Sequence, residues 1–176
     1  QYAHGNEPSH HMAYLYNYVG KPWKTQELVR RIMEEMYSNH PDGLSGNEDC
    51  GQMSAWYVMS AMGIYPVTPG SEVYVLGIPA FKSMKVTLEN GIVFTINATG
   101  LSDKRRFVQR VRYNGKAWTK SYITHDMIAE GGTLEFEMGK HPNKSFGLEP
   151  VNRPVQRISD HLITPVPYFT TASKTF

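Results

Sequence analysis

Apolar positions recur at helical spacing through the first third of the chain and switch near Pro66 to an alternation of two. Residues 8–19 predict a first helix, with Pro8 suited to a first turn, Met12, Leu15, Tyr16 and Val19 on one face, and Gly20 stopping the run. Thr25 is placed to cap a second helix, in which Leu28, Val29, Ile32, Met33 and Met36 form a stripe opposite Arg30, Arg31, Glu34 and Glu35. That helix should end near Asn39, before Pro41. Between Met53 and Met62 the apolar residues Ala55, Trp56, Tyr57, Met59 and Ala61 go nearly all round, the pattern of a buried third helix.

Beyond Pro66-Val67-Thr68-Pro69-Gly70 the runs 73–76, 84–88, 92–96, 107–111 and 133–138 read as strands. Asn90-Gly91 and Asn114-Gly115 are two-residue hairpin signals. The chain is therefore α+β, with residues 1–65 helical, residues 66–152 forming an antiparallel sandwich-like region of about seven strands, and residues 153–176 an extended, proline-interrupted strap.

Composition narrows the class without choosing a function. Charged residues make up 19% and apolar ones 40%, as in an ordinary globular chain. The net charge of +2 comes from 18 basic and 16 acidic residues spread along the sequence, which gives no basic stripe for nucleic acid or a membrane surface. No stretch is long and apolar enough to span a bilayer. One cysteine, Cys50, allows no internal disulfide.

The chemistry concentrates in two segments, Gly5-Asn6-Glu7-Pro8-Ser9-His10-His11 and Gly46-Asn47-Glu48-Asp49-Cys50-Gly51-Gln52. Each packs carboxylates and carboxamides into a turn that runs into a helical pattern, so they read as two walls of one polar pocket for a hard cation or a sugar. Taken singly, Asn6-Glu7 and Asp49 are also ordinary helix-start residues. The adjacent His10 and His11 point about 100° apart on a helix and lack the spacing of a zinc pair; one packed and one hydrogen-bonded ring is the reading. Trp56 reads as core, and His125-Asp126 as a strand-end or loop pair without a nucleophile.

His4-Gly5-Asn6-Glu7-Pro8-Ser9-His10-His11, Gly20-Lys21-Pro22-Trp23-Lys24-Thr25-Gln26, Gly43 through Trp56, and Gly63-Ile64-Tyr65-Pro66-Val67-Thr68-Pro69-Gly70 together resemble glycoside hydrolase family 92, the calcium-dependent exo-acting α-mannosidases. Thr124-His125-Asp126 and Gly131-Gly132 extend the resemblance over nearly the whole chain. It implies an amino-terminal β-sandwich followed by an (α/α)6 barrel that closes in further β-structure, with this chain holding the last barrel helices and the closing strands. A chain that opens without Met on its richest motif reads as the tail of something longer, whose other part would be a partner of this one. An export signal would then lie upstream, with a periplasmic or secreted location.

The resemblance implies roles for particular residues. Asp49 is the general base of an inverting hydrolysis, and the general acid belongs to a glutamate motif with no match here. Asn6 and Glu7 are ligands of a calcium cofactor that touches the sugar. His4, Asn47 and Glu48 contact the substrate, a mannose-containing glycan with a terminal α-1,2 linkage, and Trp23, read from its residue type alone, is a candidate sugar-stacking platform. Asn47 stands where members often carry an acid, and Gly5 leaves open space beside the second sugar. Other readings are a non-catalytic, calcium-dependent mannose-binding or structural module, and a different α-glycosidase on the same barrel.

Overall fold

The computed structural model of the protein describes residues 2–155. It opens with two 3-10 segments, Glu7–Ser9 and Met12–Asn17, in place of the continuous first helix predicted from spacing. The face it buries is also the opposite of the predicted one. Met12, Leu15 and Val19 are 43%, 43% and 58% exposed, while His10, Ala13, Tyr14 and Asn17 are buried. The polar groups go inside because each finds a partner there. Tyr14 Oη donates to Ser60 Oγ at 2.7 Å, and Asn17 Nδ2 donates to the carbonyls of Leu76 and Ser121 at 2.8 and 3.1 Å. A satisfied polar side chain buries without the desolvation penalty that would otherwise keep it out.

Helix α1 spans Pro22–Glu35 and begins at Pro22 with Lys21 as its cap. Thr25, expected to be that cap, is instead inside the helix, fully buried, with its hydroxyl lacking a partner. The stripe of Val29, Ile32 and Met33 does face the core, as its spacing predicts. Helix α2 spans Gln52–Met62 and buries Met53, Trp56, Ser60 and Ala61, but Val58 on its far side is 55% exposed. It is buried on one face, not all round.

The strands are β1 (Ile64–Tyr65), β2 (Val73–Leu76), β3 (Ser83–Thr87), β4 (Val93–Thr99), β5 (Phe107–Tyr113), β6 (Lys116–Trp118), β7 (Tyr122–Thr124) and β8 (Gly132–Gly139), with the short helix α3 (His125–Ala129) before β8. They form a three-stranded sheet ordered β1-β2-β7 and a five-stranded sheet ordered β3-β4-β8-β5-β6. The expectation of a wholly antiparallel region is corrected by β4 and β8, which run parallel. Everything from β5 to α3 lies between them in sequence, long enough for the crossover a parallel pair requires. Asn114 and Gly115, both at positive φ, make the expected two-residue hairpin between β5 and β6. Around Asn90-Gly91 the loop is longer, with Leu88 N–H bonded to Ile92 O at 2.8 Å. His125 and Asp126 open α3, where the His125 N–H donates to Glu72 O at 2.7 Å.

One hydrophobic cluster runs from Tyr14, Val29 and Trp56 through Ile64 and Leu76 to Phe94, Ile96, Leu134 and Phe136. The change from helix to strand falls at Gly63, before the boundary expected at residues 65/66, since α2 ends at Met62 and β1 begins at Ile64; the core crosses that boundary, and β1 pairs with β2 over it. Gln26, buried in α1, accepts from Val108 N–H at 3.0 Å and so bolts the helix to β5. At the far end Asn152 O accepts from Ser121 N–H at 2.8 Å, tying down the start of the expected strap. The remainder of that strap, residues 156–176, lies outside the described residues.

Two neighbours in α1 should respond oppositely to removal of a polar group. Gln26→Leu strands the Val108 N–H and should cost about 1–3 kcal/mol, whereas Thr25→Val deletes an unpartnered buried hydroxyl at constant shape and should be neutral or stabilising. Denaturant unfolding of the two variants beside the parent checks the sign of each.

Candidate functional site

The two polar motifs cross at their glycines. A Cβ on Gly5 would sit 2.6 Å from Ser45 O, and one on Gly46 would sit 3.0 Å from Gly5 O, so only glycine lets the two backbones touch here. This corrects the expectation of open space beside Gly5: the second motif fills it. The crossing brings the Glu7 and Asp49 carboxyl groups close enough for a hydrogen bond between them to shift the proton affinity of each. Glu7 is driven below the usual carboxylate range by that hydrogen bond with Asp49, and Asp49 is driven above it by the same bond and by the Glu7 charge. Protonation of the two is thereby coupled: as pH falls, Asp49 takes up a proton before Glu7 does.

Asp49 stands on a strained turn. Its φ is 48° and that of Cys50 is 57°, both left-handed, before Gly51 at 89° leads into α2. Each such non-glycine residue costs roughly 1–3 kcal/mol and persists only where its surroundings enforce it. Glu48 supplies part of that enforcement: its carboxylate accepts from Ser54 N–H at 3.1 Å and from Ser54 Oγ at 2.9 Å. A residue expected to contact substrate is thus occupied in capping α2. Asn47 is exposed on the same turn.

On the other wall, the Asn6 side chain makes no cap hydrogen bond, so its carboxamide is uncommitted at the edge. Glu7 Oε1 is buried and has no protein partner. An orphaned carboxylate oxygen next to a free carboxamide fits one side of a hard-cation site. Calcium takes six to eight oxygens, and among the described residues no group of three or more His, Cys, Asp or Glu side chains gathers to complete such a set. These residues supply part of a shell.

His4 and Trp23 are not brought to this edge in the way predicted. The His4 ring is only 2% exposed and lies 4.4 Å from the Trp56 ring, edge to face. Both its nitrogens are taken, Nδ1 by Tyr2 Oη and Nε2 by Tyr37 Oη, each at 2.6 Å. Because Tyr37 Oη donates to Met53 O at 3.1 Å, it accepts from His4, which fixes the proton on Nε2 and leaves Nδ1 to accept from Tyr2. Trp23 sits in the first turn of α1, with the Lys24 and Lys144 ammonium groups 5.5 and 5.6 Å from its ring. Tyr37, which touches His4, lies past the opposite end of α1, about 20 Å away along the helix axis.

Sequence reasoning did not single out Gln52, Tyr2 or Tyr37. His10 is the buried, hydrogen-bonded member of its pair: its Nε2 lies 3.0 Å from His4 O and its Nδ1 lies 3.1 Å from Gln52 Nε2, while its carbonyl accepts from Trp56 Nε1 at 3.1 Å. The signal available was the recurrence of hydrogen-bonding aromatics around one tryptophan, which reads as core until the partners are seen.

The chain resembles known proteins over most of its length. The model of the glycosyl hydrolase family 92 catalytic domain matches residues 1–140. A protein of Arthroderma benhamiae described as an uncharacterized secreted glycosidase is 32% identical over 139 residues, which cover 77% of this chain and 18% of that protein. Among solved structures, the family GH92 α-mannosidase BT3965 of Bacteroides thetaiotaomicron matches with a TM-score of 0.84 at 45% identity, covering 88% of this chain and 21% of that one. The family GH92 inverting mannosidase BT2199 of the same organism matches with a TM-score of 0.82 at 43% identity, covering 87% and 21%. The chain therefore spans about a fifth of the length of these relatives.

Burial holds the His4 pKa down at about 4 from 6.5, so the folded state prefers the neutral ring. An unfolded chain binds this proton more readily between those values, so the stability from a neutral His4 is complete above pH 6.5 and is lost as pH falls from 6.5 towards 4. Thermal unfolding between pH 7 and pH 4 should show that decline, and a His4→Gln variant should show a shallower one.

Proposed function

Since the chain belongs to glycosyl hydrolase family 92, we propose that it forms part of an inverting, calcium-dependent exo-α-mannosidase that hydrolyses terminal α-1,2-linked mannose from glycans outside the cytoplasm. In that enzyme residues 1–65 would be the last helices of an (α/α)6 barrel. The relatives support the reading: BT2199 is an inverting mannosidase, and BT3965 has also been solved with mannoimidazole. The description of the fungal relative as secreted supports the location.

The observation that carries the chemistry is the meeting of Glu7 and Asp49. An inverting hydrolase needs an acid and a base about 6.5–9.5 Å apart, so that a water fits between the base and the sugar. Glu7 and Asp49 act on each other's proton affinity in opposite directions, Glu7 down and Asp49 up. We read them as divided between two roles, neither being the acid that protonates the leaving oxygen.

Asp49, exposed and with its proton affinity raised, is the base: it takes a proton from the water that attacks the anomeric carbon, and a raised pKa makes it the stronger base. Glu7, which retains negative charge and has an unpartnered oxygen, would hold calcium with Asn6. When bound, that cation would orient the sugar hydroxyls and stabilise a distorted, oxocarbenium-like ring. Asn47, exposed beside the base, would bind sugar hydroxyls. The acid that protonates the leaving oxygen would come from residues beyond this chain, in the larger part of the polypeptide.

The test is release of mannose from an α-linked mannobiose by the complete natural polypeptide, with the product anomer read by proton NMR. Inversion, loss of turnover on chelation and its return with calcium are the expected results. Asp49→Ala should lower kcat by about 10²–10⁴-fold, and Glu7→Gln should raise the calcium concentration needed for half-activity. Calcium-dependent binding of mannose without turnover would instead favour a binding module.

A further inference from the structure

The strained turn that carries Asp49 is held by two side-chain clamps that reach in opposite directions. Glu48 on Ser54 fixes the turn to its own helix. Gln52, the first residue of α2, fixes it to the other motif: its backbone N–H donates to Asp49 O at 3.2 Å, and its side chain meets His10 Nδ1 at 3.1 Å. His10 is three residues beyond Glu7, closes the 3-10 turn by donating its N–H to Glu7 O at 2.9 Å, and is 2% exposed. The path from Glu7 through His10 and Gln52 to Asp49 is therefore short, and its His10 end is buried.

The direction of each hydrogen bond in that path is forced. His4 O can only accept, so His10 Nε2 carries the ring proton, and Nδ1 must accept. Gln52 consequently turns its NH2 group towards His10. Neither His10 nor the Gln52–His10 bond reaches the open edge where Asn6, Asn47 and Asp49 are exposed.

We propose that His10 and Gln52 are positioning residues for Asp49: the bond between them sets the separation of the Glu7 turn from the Asp49 turn, and neither side chain touches the substrate. The proposal rests on Asp49 acting as the base. A misplacement of about 1 Å at a reacting group can cost on the order of 100-fold in rate, so loss of this bond should appear in kcat and not in substrate affinity.

The experiment measures kcat, KM and thermal midpoint for mannose release by the complete natural polypeptide and its Gln52→Ala, His10→Gln, His10→Asn and His10→Gln/Gln52→Ala variants. His10→Asn keeps an acceptor at the reach of Nδ1 but loses the donation to His4 O; His10→Gln does the reverse. Gln52→Ala and His10→Gln should each lower kcat by about 10–100-fold with KM within about twofold. The double variant should be no slower than the slower single one, the signature of a shared interaction. His10→Asn should recover most of kcat even if its melting point is as low as that of His10→Gln. Losses that multiply in the double variant, or a kcat that simply follows the melting point, overturn the proposal. Should the His10 variants fail to fold, Gln52→Glu, which sets a carboxylate against the accepting Nδ1 without a cavity, carries the same expectation for kcat. A parent polypeptide without mannosidase activity overturns the assignment of Asp49 itself, whereas an active parent with multiplicative losses overturns only the positioning role.

Discussion

Burial of the Trp56 indole is the constraint on which the rest of the molecule depends. Its Nε1–H must find an acceptor once it leaves water, and it finds His10 O at 3.1 Å. Around it lie His4 at 4.4 Å, the stacked ring of Tyr37 at 5.8 Å and Tyr14 at 6.5 Å. These neighbours come from the opening segment, the end of α1 and the 3-10 turns, so one side chain of α2 gathers the helical elements of the amino-terminal third. The polar atoms of those rings then demand partners of their own, and satisfying them selects the backbone path of the first motif. The site is a by-product of a well-satisfied core.

The same economy explains why the site is carried by turns instead of by the helices themselves. Helix α2 is anchored through Trp56, so its amino-terminal turn has a fixed origin, and the left-handed residues Asp49 and Cys50 bend the chain back towards Glu7. The Gly5–Gly46 contact permits the two turns to approach, because no side chain intervenes. Strain on one wall and absence of bulk on the other are complementary: either alone would leave the two carboxyl groups apart.

Much of this was legible in the residues. The stripe of α1 and the Asn114-Gly115 turn are local signals whose physics lies within a few residues of each other, and they fold as read. The approach of the two motifs at Gly5 and Gly46 followed from matching residue types in them. What misled was solvent accounting. Met12, Leu15 and Val19 look like a buried face only if apolar character decides burial, whereas Tyr14 and Asn17 win the interior because Ser60, Leu76 and Ser121 satisfy them. His4 was misread for the same reason, since two tyrosine hydroxyls make an imidazole acceptable inside. The parallel pairing of β4 and β8 depends on elements far apart in sequence, and no local pattern encodes it.

The order of donors through His4 has a further meaning. Tyr2 gives to His4, His4 to Tyr37, and Tyr37 to the Met53 carbonyl, which has no proton to pass on and no basicity to hold one. Such a wire is polarised yet terminated: charge entering at Tyr2 has no exit on the far side. His4 can therefore sit behind the two turns without relaying a proton through Tyr37 to the far side.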